Sequence, residues 1–145
     1  MTHENQFCTF HLGDHYFGVE VQHVQEVIRH LELTPVPLAE PCVRGLINLR
    51  GQIVTAIDLR EKLGMPPRSA DESPINVVVR ADGGPIACLV DRIGDVVTVR
   101  EGFEEPPATV QGIGRELLRG AYKLEGRLLL VLDIERALGE APVPA

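Results

Sequence analysis

Residues 7–12 alternate, with Cys8, Phe10 and Leu12 on one face and Thr9 and His11 on the other, which predicts a strand with one side against a core. Gly13-Asp14 predicts a turn into a second strand through Phe17, Val19 and Val21, so the chain opens on a hairpin. Val21, Val24, Ile28 and Leu31 have helical spacing, whereas Val27, Arg29, Leu31 and Leu33 alternate. The reading is a helical turn over residues 20–24 passing into a strand, which Thr34-Pro35-Val36-Pro37 ends because proline has no amide for a ladder. A similar hairpin recurs over residues 76–79 and 86–90, around the turn Ala81-Asp82-Gly83-Gly84.

The pattern repeats at larger scale. RGLINLRGQIVTAIDLREKLG, residues 44–64, returns without a gap as RGAYKLEGRLLLVLDIERALG, residues 119–139, and each copy should be one supersecondary unit. In the first copy Asn48-Leu49-Arg50-Gly51 predicts a tight turn feeding a buried strand over residues 53–57. Asp58 then stands at an N-cap position, Glu61 completes a capping box, and Gly64 with Pro66-Pro67 stops a short helix. Asp133 and Gly139 take those parts in the second copy, where Arg50 is replaced by Glu125 and the charge at the turn tip is inverted. YFGVEVQHVQEVI also lies over PIACLVDRIGDVV, which extends the duplication to residues 7–64 and 76–139, joined by a polar, proline-bounded linker at 65–75. Residues 101–107 read as an acidic loop, and the tail from Glu140 as frayed. Each half supplies a hairpin, a strand pair and a capped short helix, and the economical arrangement is two small barrels packed through their apolar faces within one domain over 1–145.

Composition narrows the function. A net charge of −7 and a pI near 5.2 argue against nucleic acid or anionic membrane as the main partner, and no apolar run is long enough for a span. Cys8, Cys42 and Cys88 are odd in number and widely spaced, which fits reduced thiols and a cytoplasmic location. Catalytic groups are scarce. Ser69 and Ser73, the only serines, both lie in the linker. Strand alternation sends Cys8 and His11 to opposite faces, so with His15 they form no metal site, and the five histidines from His3 to His30 read as surface residues. Gly112-Ile113-Gly114 lacks the third glycine of a phosphate loop and reads instead as the approach to a helix start at 115–118, and the duplicated Asp58 and Asp133 read as caps rather than paired catalytic acids. The expectation is a protein with no enzyme activity, cofactor or metal.

VRGLINLRGQIVTAIDLREKLG resembles the signature of the CheW family of chemotaxis coupling proteins, RG-(apolar)-xNLRG followed by an apolar strand and DLR, with Thr55 where the family pattern has proline. The likeness runs from FHLGDHYFGVEVQHVQEVIR to LLRGAYKLEGRLLLVLDIERAL. It implies an all-β fold with short helices, made of two intertwined SH3-like five-stranded barrels. It also implies a non-catalytic adaptor between the regulatory domain of the histidine kinase CheA and the cytoplasmic tip of methyl-accepting chemoreceptors, recruited from the cytoplasm to membrane-associated arrays without inserting in the bilayer. By matching positions Glu26, Arg50, Val24 and Asn48 would bind receptor, while Gly45, Leu49 and Gly51 would bind kinase or shape the turn. A turn-tip arginine suits carboxylate recognition because its planar fork pairs bidentately. Two other readings of the pair are a solvated surface arginine and an internal Glu26–Arg50 pair that shapes the surface. Alternative functions are the same scaffold in a pathway controlling pili, development or transcription, and a generic SH3-like peptide module, for which 4% aromatic residues is a poor endowment.

Overall fold

The computed structural model describes residues 5–29, 31–38, 40–69, 71–99, 102–105 and 115–138. Gly139, the tail, Gly112 to Gly114, His3 and His30 lie outside them. The first half forms β1 (Asn5–Leu12), β2 (His15–Glu20), a 3-10 turn (Val21–His23), β3 (Val24–Ile28), β4 (Val43–Leu49), β5 (Gln52–Asp58) and helix α1 (Leu59–Lys62). The second forms β6 (Ile75–Ala81), β7 (Gly84–Val90), β8 (Arg92–Val99), β9 (Phe103–Glu104), a 3-10 turn (Arg115–Leu117), β10 (Leu118–Leu124), β11 (Arg127–Leu132) and α2 (Ile134–Leu138).

The two halves exchange hairpins. One sheet runs β8-β1-β2-β11-β10-β9 and the other β3-β6-β7-β5-β4, so each hairpin is built into the sheet completed by the other half. The exchange is symmetric: β1 pairs β8 as β6 pairs β3, and β2 runs parallel to β11 as β7 runs parallel to β5. The fold is therefore mostly β and intertwined, but a lobe is not a sequence half.

Three apolar clusters follow. Phe7, Tyr16, Val99, Tyr122, Leu129 and Val131 pack together from strands right across the six-stranded sheet, which requires that sheet to curl on itself. Ile47, Leu49, Val54, Ala56, Val78 and Ala87, with Ile28 against them, do the same for the five-stranded sheet. The largest cluster lies between the sheets and holds Phe10, Leu12, Phe17, Ile57, Leu59, Leu130 and Cys88. A fully buried side chain of this size contributes about 1.5–3 kcal/mol, so the interface between the lobes is itself a major source of stability.

Neither curl closes through a continuous ladder; each is strapped. After β3 the chain crosses to the far edge, where Thr34 and Leu46 exchange backbone hydrogen bonds of 2.9 and 2.8 Å. After β8 the same path yields β9, pairing Phe103 and Glu104 with Tyr122 and Ala121. The expected strand end at Thr34-Pro35 is thus a bridge, strand β3 having stopped at Ile28, and the expected acidic loop at 101–107 contains a strand. The extra strand makes one lobe six-stranded rather than five.

One further expectation changes. Asp58 caps α1 by accepting from the Arg60 amide at 3.0 Å, but its own amide, the target of a capping box, donates to the Cys42 carbonyl at 2.8 Å, leaving Glu61 no return bond to make. The segment that joins the halves packs against them. Met65 is buried in the inter-sheet core, and Arg68 pairs with Asp58 at 2.9 Å and Asp91 at 3.1 Å. Its polar groups find partners on two other elements.

The thiols differ in access. Burial pushes all three upward, and Cys88, wholly enclosed, is pushed to about 12. At neutral pH a maleimide is expected to label half-buried Cys8 slowly and Cys88 only on unfolding, since the thiolate is the reactive form; labelling of Cys88 at the rate of Cys8 under native conditions would contradict this packing.

Candidate functional site

The turn between β4 and β5 is a two-residue hairpin, Leu49 pairing with Gln52 across Arg50-Gly51. Both tip residues have positive φ, 54° at Arg50 and 89° at Gly51, as the right-handed twist of a tight hairpin demands. Asn48 secures the bend through its Oδ1, which accepts from the Gly51 amide at 2.8 Å. Arg50 is thereby projected into solvent with its side chain 73% exposed.

Glu26 sits on β3, at the opposite edge of the same sheet. The curl brings the two edges within reach, and Arg50 donates through Nη1 and Nη2 to the two carboxylate oxygens of Glu26, the second bond measuring 2.7 Å. The fork spans the seam that the backbone leaves open. These hydrogen bonds hold the Glu26 carboxyl below the usual carboxylate range against a push upward from burial, and they raise Arg50 in turn. Val24 begins β3 beside a bulge, opposite Val79 and against the inter-sheet core. Of the four predicted receptor residues, the structure joins Glu26 to Arg50, places Asn48 beneath the turn and puts Val24 two residues from Glu26.

The other three have different placements. Gly51 is in the turn, but Gly45 lies inside β4 under the Thr34 strap, and Leu49 is the buried last residue of β4. Thr55 pairs with Leu46 and Ile86 in the middle of the sheet, a position flanked by strands on both sides.

The second copy carries no such fork. Asp95 stands where Glu26 does and Glu125 where Arg50 does, so the equivalent seam faces two acids, and Glu125 lacks the left-handed backbone of Arg50. Sequence reasoning missed one feature of the surroundings. Val27 and Val96, equivalent under the duplication, are 44% and 57% exposed, opposite Val77 and Cys8, which belong to or pack on the inter-sheet core. That core reaches the surface at both edge strands. The signal was present as Val24, Val27 and Ile28, more apolar positions than one face of a short strand can bury.

Among the described residues no three His, Cys, Asp or Glu side chains are grouped to hold a metal. No described helix is long and apolar enough to cross a membrane. The site offers a charged fork beside apolar edges, which is equipment for recognition.

Comparison with known proteins gives one consistent answer. The family model described as a CheW-like domain matches residues 6–141. The chain is 32% identical to the chemotaxis protein CheW of Bacillus subtilis over 135 residues, covering 92% of this chain and 86% of that protein. It is 30% identical to the chemotaxis protein CheW of Treponema pallidum over 136 residues, covering 90% and 80%. Among solved structures, the scaffolding protein TtCheW of Thermoanaerobacter tengcongensis superposes with a TM-score of 0.81 at 25% identity, covering 90% of this chain and 89% of that one.

Proposed function

The chain belongs to the CheW-like family of chemotaxis scaffolds, and from that premise we propose that it couples methyl-accepting chemoreceptors to the regulatory domain of a CheA-type histidine kinase, without catalysis of its own. It works from the cytoplasm and joins membrane-associated receptor arrays through its partners. The observation that carries the reading is the Glu26–Arg50 fork, rigidly presented on one lobe and abolished by charge in the other. Receptor tips, as helical hairpins rich in glutamate, offer carboxylates for the guanidinium edge that Glu26 does not occupy, with Val24 and Val27 as apolar neighbours. Another side of the bridge serves the kinase.

A second reading has its own support, because the pair is formed within the free protein: Glu26 and Arg50 shape the surface and contact nothing. Charge swapping separates them. Arg50→Glu is expected to fold, with little change in melting temperature, since exposed pairs contribute little, and to lose capture of a receptor hairpin fragment. Glu26→Arg combined with Arg50→Glu restores the pair with its polarity reversed. Under direct recognition the double variant still fails to bind; return of receptor capture would establish the purely structural role. Normal capture by Arg50→Glu alone would remove the site from the interface altogether.

A further inference from the structure

Most arginines among the described residues are tied to carboxylates: Arg44, Arg50, Arg60, Arg68, Arg119 and Arg136 each have one within 4.0 Å. Arg29, Arg80, Arg92 and Arg127 have none, and of these Arg92 and Arg127 share one sheet. They are neighbours in the fold, on the six-stranded sheet, where β8, β1, β2 and β11 lie side by side. Arg92 is opposite His11, His11 is opposite Tyr16, and the Arg127 guanidinium lies 3.9 Å above the Tyr16 ring. The His11 and Tyr16 rings are 5.0 Å apart. The row is therefore Arg92, His11, Tyr16, Arg127, one group from each strand.

Three features make this row more than a scatter of surface charge. Like charges have been brought together: burial lowers the His11 pKa, and the fields of Arg92 and Arg127 lower it further, so the imidazole feels both guanidiniums. Arg127 is held in place by stacking on an aromatic ring that is itself buried, which reduces the ordering cost of binding. Beneath it the Tyr16 hydroxyl is cut off from solvent with no hydrogen-bond partner. The nearby acids do not neutralise the row. Asp91 is engaged by Arg60, Arg68 and the Gly13 amide, Asp14 and Glu72 line a cleft with Arg92 without pairing to it, Glu72 lying 4.0 Å from Arg60, and among the described residues the Asp95 and Glu125 carboxylates form no ion pair with Arg92 or Arg127.

We propose that this row is a docking site for an acidic peptide segment of a partner protein. Adjacent strands are spaced about 4.8 Å apart, so the strands bearing Arg92 and Arg127 are separated by about 14 Å. The Arg127 guanidinium reaches back over Tyr16, so the row offers two cationic points with the His11 and Tyr16 rings between them, which suits successive carboxylates of an extended or helical segment. On a chain of net charge −7 such a row is the complementary exception, and it is separate from the Glu26–Arg50 fork, which lies on the other sheet.

The test uses the full chain and a hexaglutamate peptide at an ionic strength of about 0.15 M, where charges are screened beyond about 8 Å, with inorganic phosphate as the competing probe and side-chain NMR signals of His11 and Tyr16 as the readout. Binding is expected to move both signals. Arg92→Glu with Arg127→Glu should weaken it at least about tenfold, since steering charges act mainly on encounter and salt dependence. The matched reversal Arg29→Glu with Arg80→Glu should change it less than about twofold. Melting curves of both double variants check that they fold, and if the first does not, Arg92→Gln with Arg127→Gln takes its place. The proposal fails if the signals stay still, if the matched reversal weakens binding equally, or if phosphate saturates the row as tightly as the peptide.

Discussion

Asp91→Ala is expected to lower stability by about 3–5 kcal/mol, because removing one member of a buried ion pair leaves the others desolvated and uncompensated. For a chain of this size that is a fall in melting temperature of about 10 °C. Asp91 is nearly enclosed, with its side chain 7% exposed, and it gathers three separate pieces of chain. Arg60 of α1 donates through Nε at 3.0 Å, Arg68 of the inter-half segment at 3.1 Å, and the Gly13 amide of the β1–β2 turn at 2.7 Å. Asp58 extends the network to Arg44 at 3.1 Å. By comparison Asp133→Ala removes only an exposed cap on α2, where Oδ1 accepts from the Arg136 amide at 3.1 Å, and should cost about 1 kcal/mol. Acid should erase the difference between wild type and an Asp91→Asn variant. Burial alone pushes the Asp91 carboxyl upward, but the hydrogen bonds from Arg60, Gly13 and Arg68 and the charge of Arg60 outweigh it, so its folded pKa is lowered. A lowered folded pKa means stability present above the unfolded value, about 3.9, and lost as pH falls through the folded one. The gap between the two melting curves is therefore expected to be full at pH 7 and to close below about pH 4. A gap that persists unchanged at pH 2, or no gap at pH 7, would contradict the network.

That network shows why some of this molecule was legible beforehand and some was not. Strand alternation, the duplication and the Arg50-Gly51 turn are local and survive in sequence because they repeat at short or fixed spacing. The hairpin exchange is not local: nothing in residues 7–21 states that β1 will pair with β8 rather than β3, since both edge strands carry the same pattern. Only the family resemblance supplied the intertwining. Arg68 was missed for a related reason, because a polar stretch between prolines looks solvated until its carboxylate partners arrive from two other elements. The joining of Glu26 to Arg50 was legible as one of three readings, and what brings the two together, 24 residues apart in the chain, is the curl of the sheet on whose opposite edges they lie. The row of Arg92, His11, Tyr16 and Arg127 was invisible because its members lie on four strands, two from each half.

Gly45→Ala is the other large effect expected, about 2–4 kcal/mol, and it separates two glycines that the sequence motif presents as equals. A Cβ at Gly45 would stand 2.5 Å from the Thr34 carbonyl oxygen and 2.9 Å from its carbon, and φ there is 152°. Both neighbours are backbone, so neither can swing aside; the strap that closes the five-stranded curl must lift, breaking its two bonds to Leu46. Gly51 has φ 89° but open space around it, so Gly51→Ala pays only for the backbone conformation, about 1–2 kcal/mol. Gly120, the duplicate of Gly45, would put its Cβ 2.6 Å from the Glu104 carbonyl oxygen and into the Phe103 ring. Its cost should match that of Gly45, because β9 is the same strap in the other lobe and only the half-exposed Phe103 ring is free to yield. Urea midpoints for the three alanine variants test the ranking. If Gly51→Ala proved the most damaging and Gly45→Ala and Gly120→Ala melted like wild type, the straps would not be what closes the lobes, and the seam bridged by Glu26 and Arg50 would have to be held by the fork alone.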